Sequence, residues 1–466
     1  MGIVSTPPVS ESEKQHIYGN IYAIRAYVAE LRGDFSLAID CARDALENLP
    51  EEDLMARGSA ATVLGAVLRL SGDFEAASQA LDEAKLLRQA VGDNQTALFV
   101  NCSQAYLLFV QGKLRAAEES FREVLLLSDR GVGRGGRGLP IKGYAHTRLS
   151  AVLREWNDME AAVFHADSGL EISKRWGQAD VLVYGYVEKA RTLQVLGMEK
   201  QAREVFREAR IVAFSVSEWF GSLLEAWEAQ LYLIQGDLQL PLRWAKKYGL
   251  RHDDVFEFQR ESEYRVLARL LIAQAKADPE TDVDKVILLL DRLHDMEAAA
   301  GATYALMEVL VLKAVAFTLK GNQTEAMSAF GYALNLGEPE QIVRTFLDEG
   351  SLIADLLVKA QTNGVSIEYA NRLLRTMESE SSPDQLSLEP TKSIPDMAAL
   401  GFVEPLSERE LQVLRLMDSE LASPEIADEL VIAVSTVRSH IKNIYSKLGV
   451  HSRYEAVEKA RVMDLI

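Results

Sequence analysis

Between Leu430 and Tyr454 the chain carries Arg438, Lys442, Lys447 and Arg453 and no acidic residue, within a sequence of formal net charge -19. Cationic and hydroxyl side chains grouped this way donate hydrogen bonds to phosphate oxygens and to the acceptor edges of bases, a chemistry of recognition. Val437, Ile441, Ile444 and Leu448 recur at i, i+4, i+7 and i+11, the buried stripe of an amphipathic helix. Arg438, Ser439, Lys442, Asn443 and Ser446 fall on its other face. A helix of that character fits the major groove of DNA. The plain alternative is a solvated face with ordinary charges.

Other residues with chemical potential point elsewhere or nowhere. The segment from Arg130 to Pro140 holds several glycines with Arg130, Arg134 and Arg137. A phosphate loop needs Gly-Lys-Ser/Thr opening a helix after a strand, whereas here a helical pattern precedes, so the segment reads as a loop between repeats. The seven histidines, at 16, 146, 165, 252, 294, 440 and 451, make no metal spacing such as His-Glu-x-x-His, and no Gly-x-Ser-x-Gly elbow occurs. Cys41 and Cys102 read as small buried apolar residues of a reducing compartment. No enzyme activity, cofactor or metal is expected.

The elements that must position the basic helix follow from the rest of the chain. From Glu404 to the end there are 11 acidic and 8 basic residues, so of the total of -19 about -16 lies upstream, where it would repel phosphate. DNA contact is therefore expected only at the C-terminal end. With no long apolar run, no membrane partner is expected and the expected location is the cytoplasm.

Upstream, one phrase returns: Gly33-Asp34-Phe35, Gly72-Asp73-Phe74, Gly112-Lys113-Leu114, Asn157-Asp158-Met159, Gly197-Met198-Glu199, Gly236-Asp237-Leu238 and Gly321-Asn322-Gln323. Its intervals are 39, 40, 45, 40, 39 and 85 residues, a solenoid period with one degenerate turn. Seven residues before each phrase stands Ala26, Gly65, Ala105, Ser150, Ala190, Ala229 or Ala314. Five after its first residue stands Ala38, Ala77, Ala117, Ala162, Ala202 or Ala326, with Pro241 the one departure. Small residues at both places let two antiparallel helices approach closely around a tight turn. The missing unit is expected to use Tyr264 to Ala277 and Val283 to Ala298. Such arrays wind into a superhelix with a concave groove. Tyr22, Arg25, Asn101, Gln104, His146, Tyr186, Lys189, Glu225, Glu228 and Lys313, on the first helices, are the candidate ligand residues there.

Two short helices, Ser351 to Gln361 and Ser366 to Met377, precede a Ser-, acid- and Pro-rich stretch that reads as a linker. Beyond it, Ser407 with Glu410 and Ser452 with Glu455 are capping boxes, and Ser423-Pro424 is an N-cap with Pro at the first helical position. Four short helices are expected, the basic one third.

Leu406-Ser-Glu-Arg409-Glu410, Glu425-Ile426-Ala427, Thr436-Val437-Arg438-Ser-His440, Lys447-Leu448, Val450, Arg453 and Ala456 resemble the LuxR (GerE/FixJ) helix-turn-helix pattern. The repeats resemble the tetratricopeptide pattern with longer units. Together with Glu155-Trp156-Asn157-Asp158 and Phe346-Leu347-Asp348-Glu349-Gly350 they resemble the MalT-type large regulators of that family.

The resemblance implies an all-α protein. Residues 1–14 would be a flexible N-terminus and 15–377 a right-handed superhelix of tetratricopeptide-like hairpins, with a linker over 378–402 and the DNA-binding domain over 403–466. It implies a transcription regulator that senses a small-molecule or protein effector in the groove and binds promoter DNA as a homodimer, with RNA polymerase a further partner. Arg438, Ser439 and Lys442 would read bases and Thr436, Lys447 and Arg453 hold phosphates, while His440 would face a phosphate or the helix packing. Tyr454, Val457 and Ala460 would form the dimer face. Members commonly carry an N-terminal ATPase module; no Gly-x4-Gly-Lys-Ser/Thr occurs here, so ATP-driven switching is not carried over. Glu420 stands where a helix-ending Gly is usual and Ala433 where a Ser cap is usual. Those departures favour the competing expectation, a protein- or peptide-binding scaffold with weak or lost DNA binding.

Overall fold

The computed structural model describes residues 10–130, 140–278, 280–381, 408–418 and 453–462, and positions 426, 427, 429, 430, 437, 440, 441 and 444. Side chains at 94, 95, 129, 130, 381, 408, 409, 454, 455 and 462 are excepted. Two compact units divide the chain, Met1–Ser382 and Pro383–Ile466. Among the described residues every regular element is helical, and no helix is long and apolar enough to cross a membrane.

In the first unit, α1 (Glu11–Arg32) and α2 (Phe35–Asn48) form the first hairpin. The next are α3 (Leu54–Leu70) with α4 (Phe74–Ala90), α5 (Asn94–Val110) with α6 (Leu114–Arg130), and α7 (Pro140–Glu155) with α8 (Met159–Trp176). Then come α9 (Ala179–Val195) with α10 (Glu199–Val216) and α11 (Glu218–Ile234) with the short α12 (Gln239–Lys247). The expected degenerate unit is α13 (Glu261–Ala277) with α14 (Val283–Ala300), followed by α15 (Thr303–Leu319) with α16 (Gln323–Gly337). Three further helices, α17 (Arg344–Leu347), α18 (Leu352–Thr362) and α19 (Ile367–Ser381), complete it.

Helix α1 starts inside the stretch expected to be a flexible N-terminus. Ser10 and Glu13 form a reciprocal capping box there, a start signal carried by the sequence itself. At the other end α19 continues to Ser381, past the expected end at 377, because nothing before Pro383 breaks the helical pattern. The linker from 382 on lies outside the described residues.

The repeated phrase works as its residue types require. Its first residue has positive φ in all seven copies, from 65° at Asn157 to 83° at Gly72. Glycine takes that conformation without steric cost; Asn157 instead is held by its amide, which accepts from Arg344 Nη1 at 3.1 Å. The second residue then caps the next helix wherever its side chain is Asp34, Asp73, Asp158 or Asn322. The small residues either side are buried at the helix crossing, Ala26, Ala190, Ala38 and Ala202 to 0% exposure. At Gly65 even a methyl would lie 2.6 Å from Leu81, so α3 and α4 approach more closely than alanine permits.

The hairpins coil far enough for successive turns of the superhelix to touch. Phe35 packs edge-on against Trp219 with centroids 5.2 Å apart, and Phe74 against Phe258 at 5.8 Å. Trp156 Nε1 donates to the Glu340 carbonyl at 2.8 Å, and all three pairs share one offset of 184 residues. That is one superhelical turn in roughly four and a half units of the ~40-residue repeat. Val343 N donates to the Glu155 carbonyl at 2.7 Å, continuing the seam.

Candidate nucleic-acid module and superhelix interior

The first helices turn one face toward the superhelix interior, at positions three, six and nine before each turn phrase. Arg154 on α7, Arg191 and Gln194 on α9, and Trp227 and Gln230 on α11 stand there. With Arg269 and Lys276 of α13 and the segment from Arg344 to Ser351 they line a cavity of about 480 Å³. Charges inside it are linked across the seam. Asp348 accepts from Arg154 and, at 2.7 Å, from Arg344, while Glu349 accepts from Arg269 at 2.6 Å. Glu155 accepts from the backbone N–H and hydroxyl of Thr345 at 3.0 and 2.8 Å. Burial pushes the Glu155 carboxyl up against the opposing pull of Arg154 and Arg191. Glu297, wholly buried, is pushed up to about 7 by its burial, with Arg265 opposing.

A second interior feature has no carboxylate. Arg148, 8% exposed, lies over the rings of Tyr106 at 3.8 Å, Tyr184 at 4.2 Å and Tyr144 at 5.1 Å. Three aromatic faces offset part of the cost of burying the guanidinium.

None of the ten residues assigned to the groove from the sequence lines this cavity. They stand eight and eleven positions before the turns, on the helix face that meets neighbouring second helices. Gln104 donates to Asp82 at 2.7 Å, Lys189 pairs with Asp167 at 2.6 Å and Lys313 with Asp291 at 2.7 Å. Glu225 binds Lys247 at 2.6 Å, and Glu228, 8% exposed, accepts from Arg210. Tyr186 is 6% exposed under Lys174, and Tyr22 packs on the core near Cys41. Arg25 is exposed and Asn101 half-buried. Both faces of a first helix carry polar residues, so periodicity alone does not tell which looks inward.

His146 belongs to the same ladder: its Nδ1 lies 2.7 Å from Nδ1 of His165 on α8. Burial, then His165, holds His146 down at about 3, and burial, then Arg122, holds His165 at about 4. Both lie below the unfolded value of ~6.5, so as pH falls the unfolded chain binds protons first and stability drops. Thermal unfolding should therefore show little contribution from this pair above neutral pH, and a loss on the order of 2 kcal/mol for each histidine by about pH 5. His146→Asn should flatten that decline; an unchanged pH slope would exclude the pair as its source.

In the C-terminal unit, α20 (Glu408–Asp418) and α21 (Arg453–Val462) pack around Val413, Leu414, Met417, Ile426, Ala427, Val437, Ile444, Ala456 and Ala460. Val437 and Ile444 are wholly buried and Ile441 packs beside them, so these three positions of the apolar stripe face this core, and Leu448 lies outside the described residues. Arg438, Ser439, Lys442, Thr436, Lys447, Glu420 and Ala433 lie outside the described residues, as do the Arg134 and Arg137 loop positions. His440 is half-buried.

Two of the residues given roles from the sequence have packing partners here. Arg453 donates from Nε and Nη2 to the Met417 carbonyl at 3.1 and 2.6 Å, tying α21 to the C-terminal end of α20. Ala460 is 0% exposed inside the module, so of the expected dimer face only the partly buried Val457 remains among described side chains. Arg453→Ala should lower the module's stability by roughly 1–2 kcal/mol. It should leave the salt dependence of any DNA binding unchanged; a flattened salt slope would restore Arg453 as a phosphate contact.

The family described as "MalT-like TPR region" matches residues 19–363, and the one described as "Bacterial regulatory proteins, luxR family" matches 404–460. The HTH-type transcriptional regulator MalT of Yersinia enterocolitica is 25% identical over 454 residues, 94% of this chain and 49% of that protein. Its counterpart from Klebsiella pneumoniae is 25% identical over 468 residues, 96% of this chain and 49% of its own length. The chain spans about half the length of the curated relatives it matches. Among solved structures, a Rap protein complexed with competence and sporulation factor shares the fold, with TM-score 0.52 and 12% identity over 72% of this chain and 89% of that one. With helical hairpins over most of its length and a luxR-type module after them, the chain belongs to the family of the MalT-like TPR region.

Proposed function

We propose that this protein is a transcriptional regulator that binds promoter DNA through its C-terminal module and senses an effector through its helical superhelix. The observation that carries the reading is the packing of Val437, Ile441 and Ile444 against the core formed by α20, α21 and Ile426. On a helix with those positions inward, a 100° step per residue assigns 438, 439 and 442 to the outer side. Arg438, Ser439 and Lys442 are then the base readers and Thr436 and Lys447 the phosphate contacts, with His440 second to them. Arg453 supports the module from within.

Promoter binding as a homodimer, with Tyr454 and Val457 at the contact, and contact with RNA polymerase belong to the same proposal. Nuclease footprinting on the DNA upstream of the protein's own gene tests it. A protected pair of half-sites about one helical turn apart is expected. Uniform cleavage at every protein concentration would instead favour a repeat scaffold without DNA binding.

A further inference from the structure

We propose that the cavity between α9, α11, α13 and the returning segment 344–351 is a binding site for a small acidic molecule, a carboxylate or phosphate ester joined to an apolar body. This rests on the sensing role proposed above and names the class of effector. Its volume of about 480 Å³ falls within the usual range for small-ligand sites.

The donor and acceptor balance of the wall sets the chemistry. Five cationic side chains line it with two carboxylates, Asp348 and Glu349, while Glu155, Glu188, Glu308 and Glu380 pair with Arg154, Arg191, Arg269 and Arg344 from outside the lining and leave Lys276 the cation without an ion pair among the described residues. Both carboxylates are engaged, Asp348 by Arg154 and Arg344 and Glu349 by Arg269. Donors remain over. Arg154 is 2% exposed and its Nε has no hydrogen-bond partner. Arg191 reaches Glu188 only at 3.3 and 3.5 Å. Lys276 stands exposed on the wall with no acidic partner among the described residues. A ligand that completes this wall must bring acceptors, and anionic oxygens satisfy guanidinium and ammonium donors best. Trp227, Leu231, Ile234 and Ile272 supply the apolar remainder.

The position also matters. One wall belongs to α9, α11 and α13, and the other to the segment that crosses the seam to Glu155 and leads into α18 and α19. An occupant therefore ties two turns of the superhelix together, and its binding free energy would favour the closed seam.

Isothermal titration of the full chain, without DNA, with phenyl phosphate, benzoate and benzyl alcohol at low ionic strength tests the site. Expected is binding of at least one anion about tenfold or more tighter than the alcohol, and its weakening by about fivefold or more in Lys276→Gln with unfolding temperature unchanged. Preference for phenyl phosphate assigns a phosphate ester and preference for benzoate a carboxylate. Equal affinity for alcohol and anions, or a Lys276→Gln protein that binds as the parent does, overturns the proposal. Because DNA is absent, such a failure leaves the footprinting result standing, and an empty footprint leaves this site standing.

Discussion

Asp348→Ala is expected to destabilise the superhelix by about 2–4 kcal/mol, because it removes the acceptor that the buried guanidiniums of Arg154 and Arg344 share and leaves them only Glu155, and Glu380 with Asn157, respectively. Arg154 is 2% and Arg344 5% exposed, so water cannot replace the lost partner. Burial alone would push the Asp348 carboxyl up. Arg154 first, then Arg344 and Arg191, outweigh it and hold the group well below the usual carboxylate range. The sign follows: this stabilisation is complete above the unfolded value of ~3.9 and is lost only as strong acid protonates the folded carboxyl. Hydrogen exchange should quicken first around 150–158 and 344–351, on the two sides of the seam, with α3 and α4 little changed, since repeat arrays open locally. Asp291→Ala removes another ion pair, to Lys313 at 2.7 Å, but the Asp291 side chain is 50% exposed. That change should cost no more than about 1 kcal/mol. Equal effects of the two substitutions would mean that the seam contributes nothing beyond surface charge.

The second large effect concerns DNA. Lys447→Ala should weaken binding to specific and nonspecific sequences alike and reduce the salt slope by about one for each site where it meets a phosphate. Arg438→Ala should cost about 1–3 kcal/mol at the base pair it reads and leave nonspecific binding nearly unchanged, thus eroding discrimination. In a homodimer each loss occurs at both half-sites. Operator titrations at several salt concentrations separate the two classes. If both variants lower specific and nonspecific affinity equally, the division into readers and phosphate contacts is wrong.

Local features were legible in the sequence because local chemistry causes them. Gly33 and its equivalents had to take positive φ, Asp34 and Asp73 had to cap, and Ala38 with Ala26 had to sit at a helix crossing. The inward stripe of Val437 and Ile444 followed from the 3.6-residue period. The seam was not legible. Trp219 and Phe258 look like any apolar residue near a helix start, and their partners Phe35 and Phe74 lie 184 positions away. Only the coiling of the whole array brings them together. Which polar residues of the first helices line the cavity was not legible for a related reason. Lys189 and Arg191 are both polar and two residues apart, and what separates them is Asp167 beside one and the cavity beside the other. The bond from Arg453 to the Met417 carbonyl was hidden likewise, since a cation near a helix start can serve a phosphate or a neighbouring carbonyl.

The central claim is that the C-terminal module of this chain binds DNA with sequence discrimination. It is tested most directly by titrating the intact protein against its own upstream DNA and against scrambled DNA of equal length over a range of salt. Affinity is expected to fall with salt on both, with the upstream DNA bound about a thousandfold or more tightly throughout. Equal retention of the two DNAs at every salt concentration, or no retention of either, would contradict it.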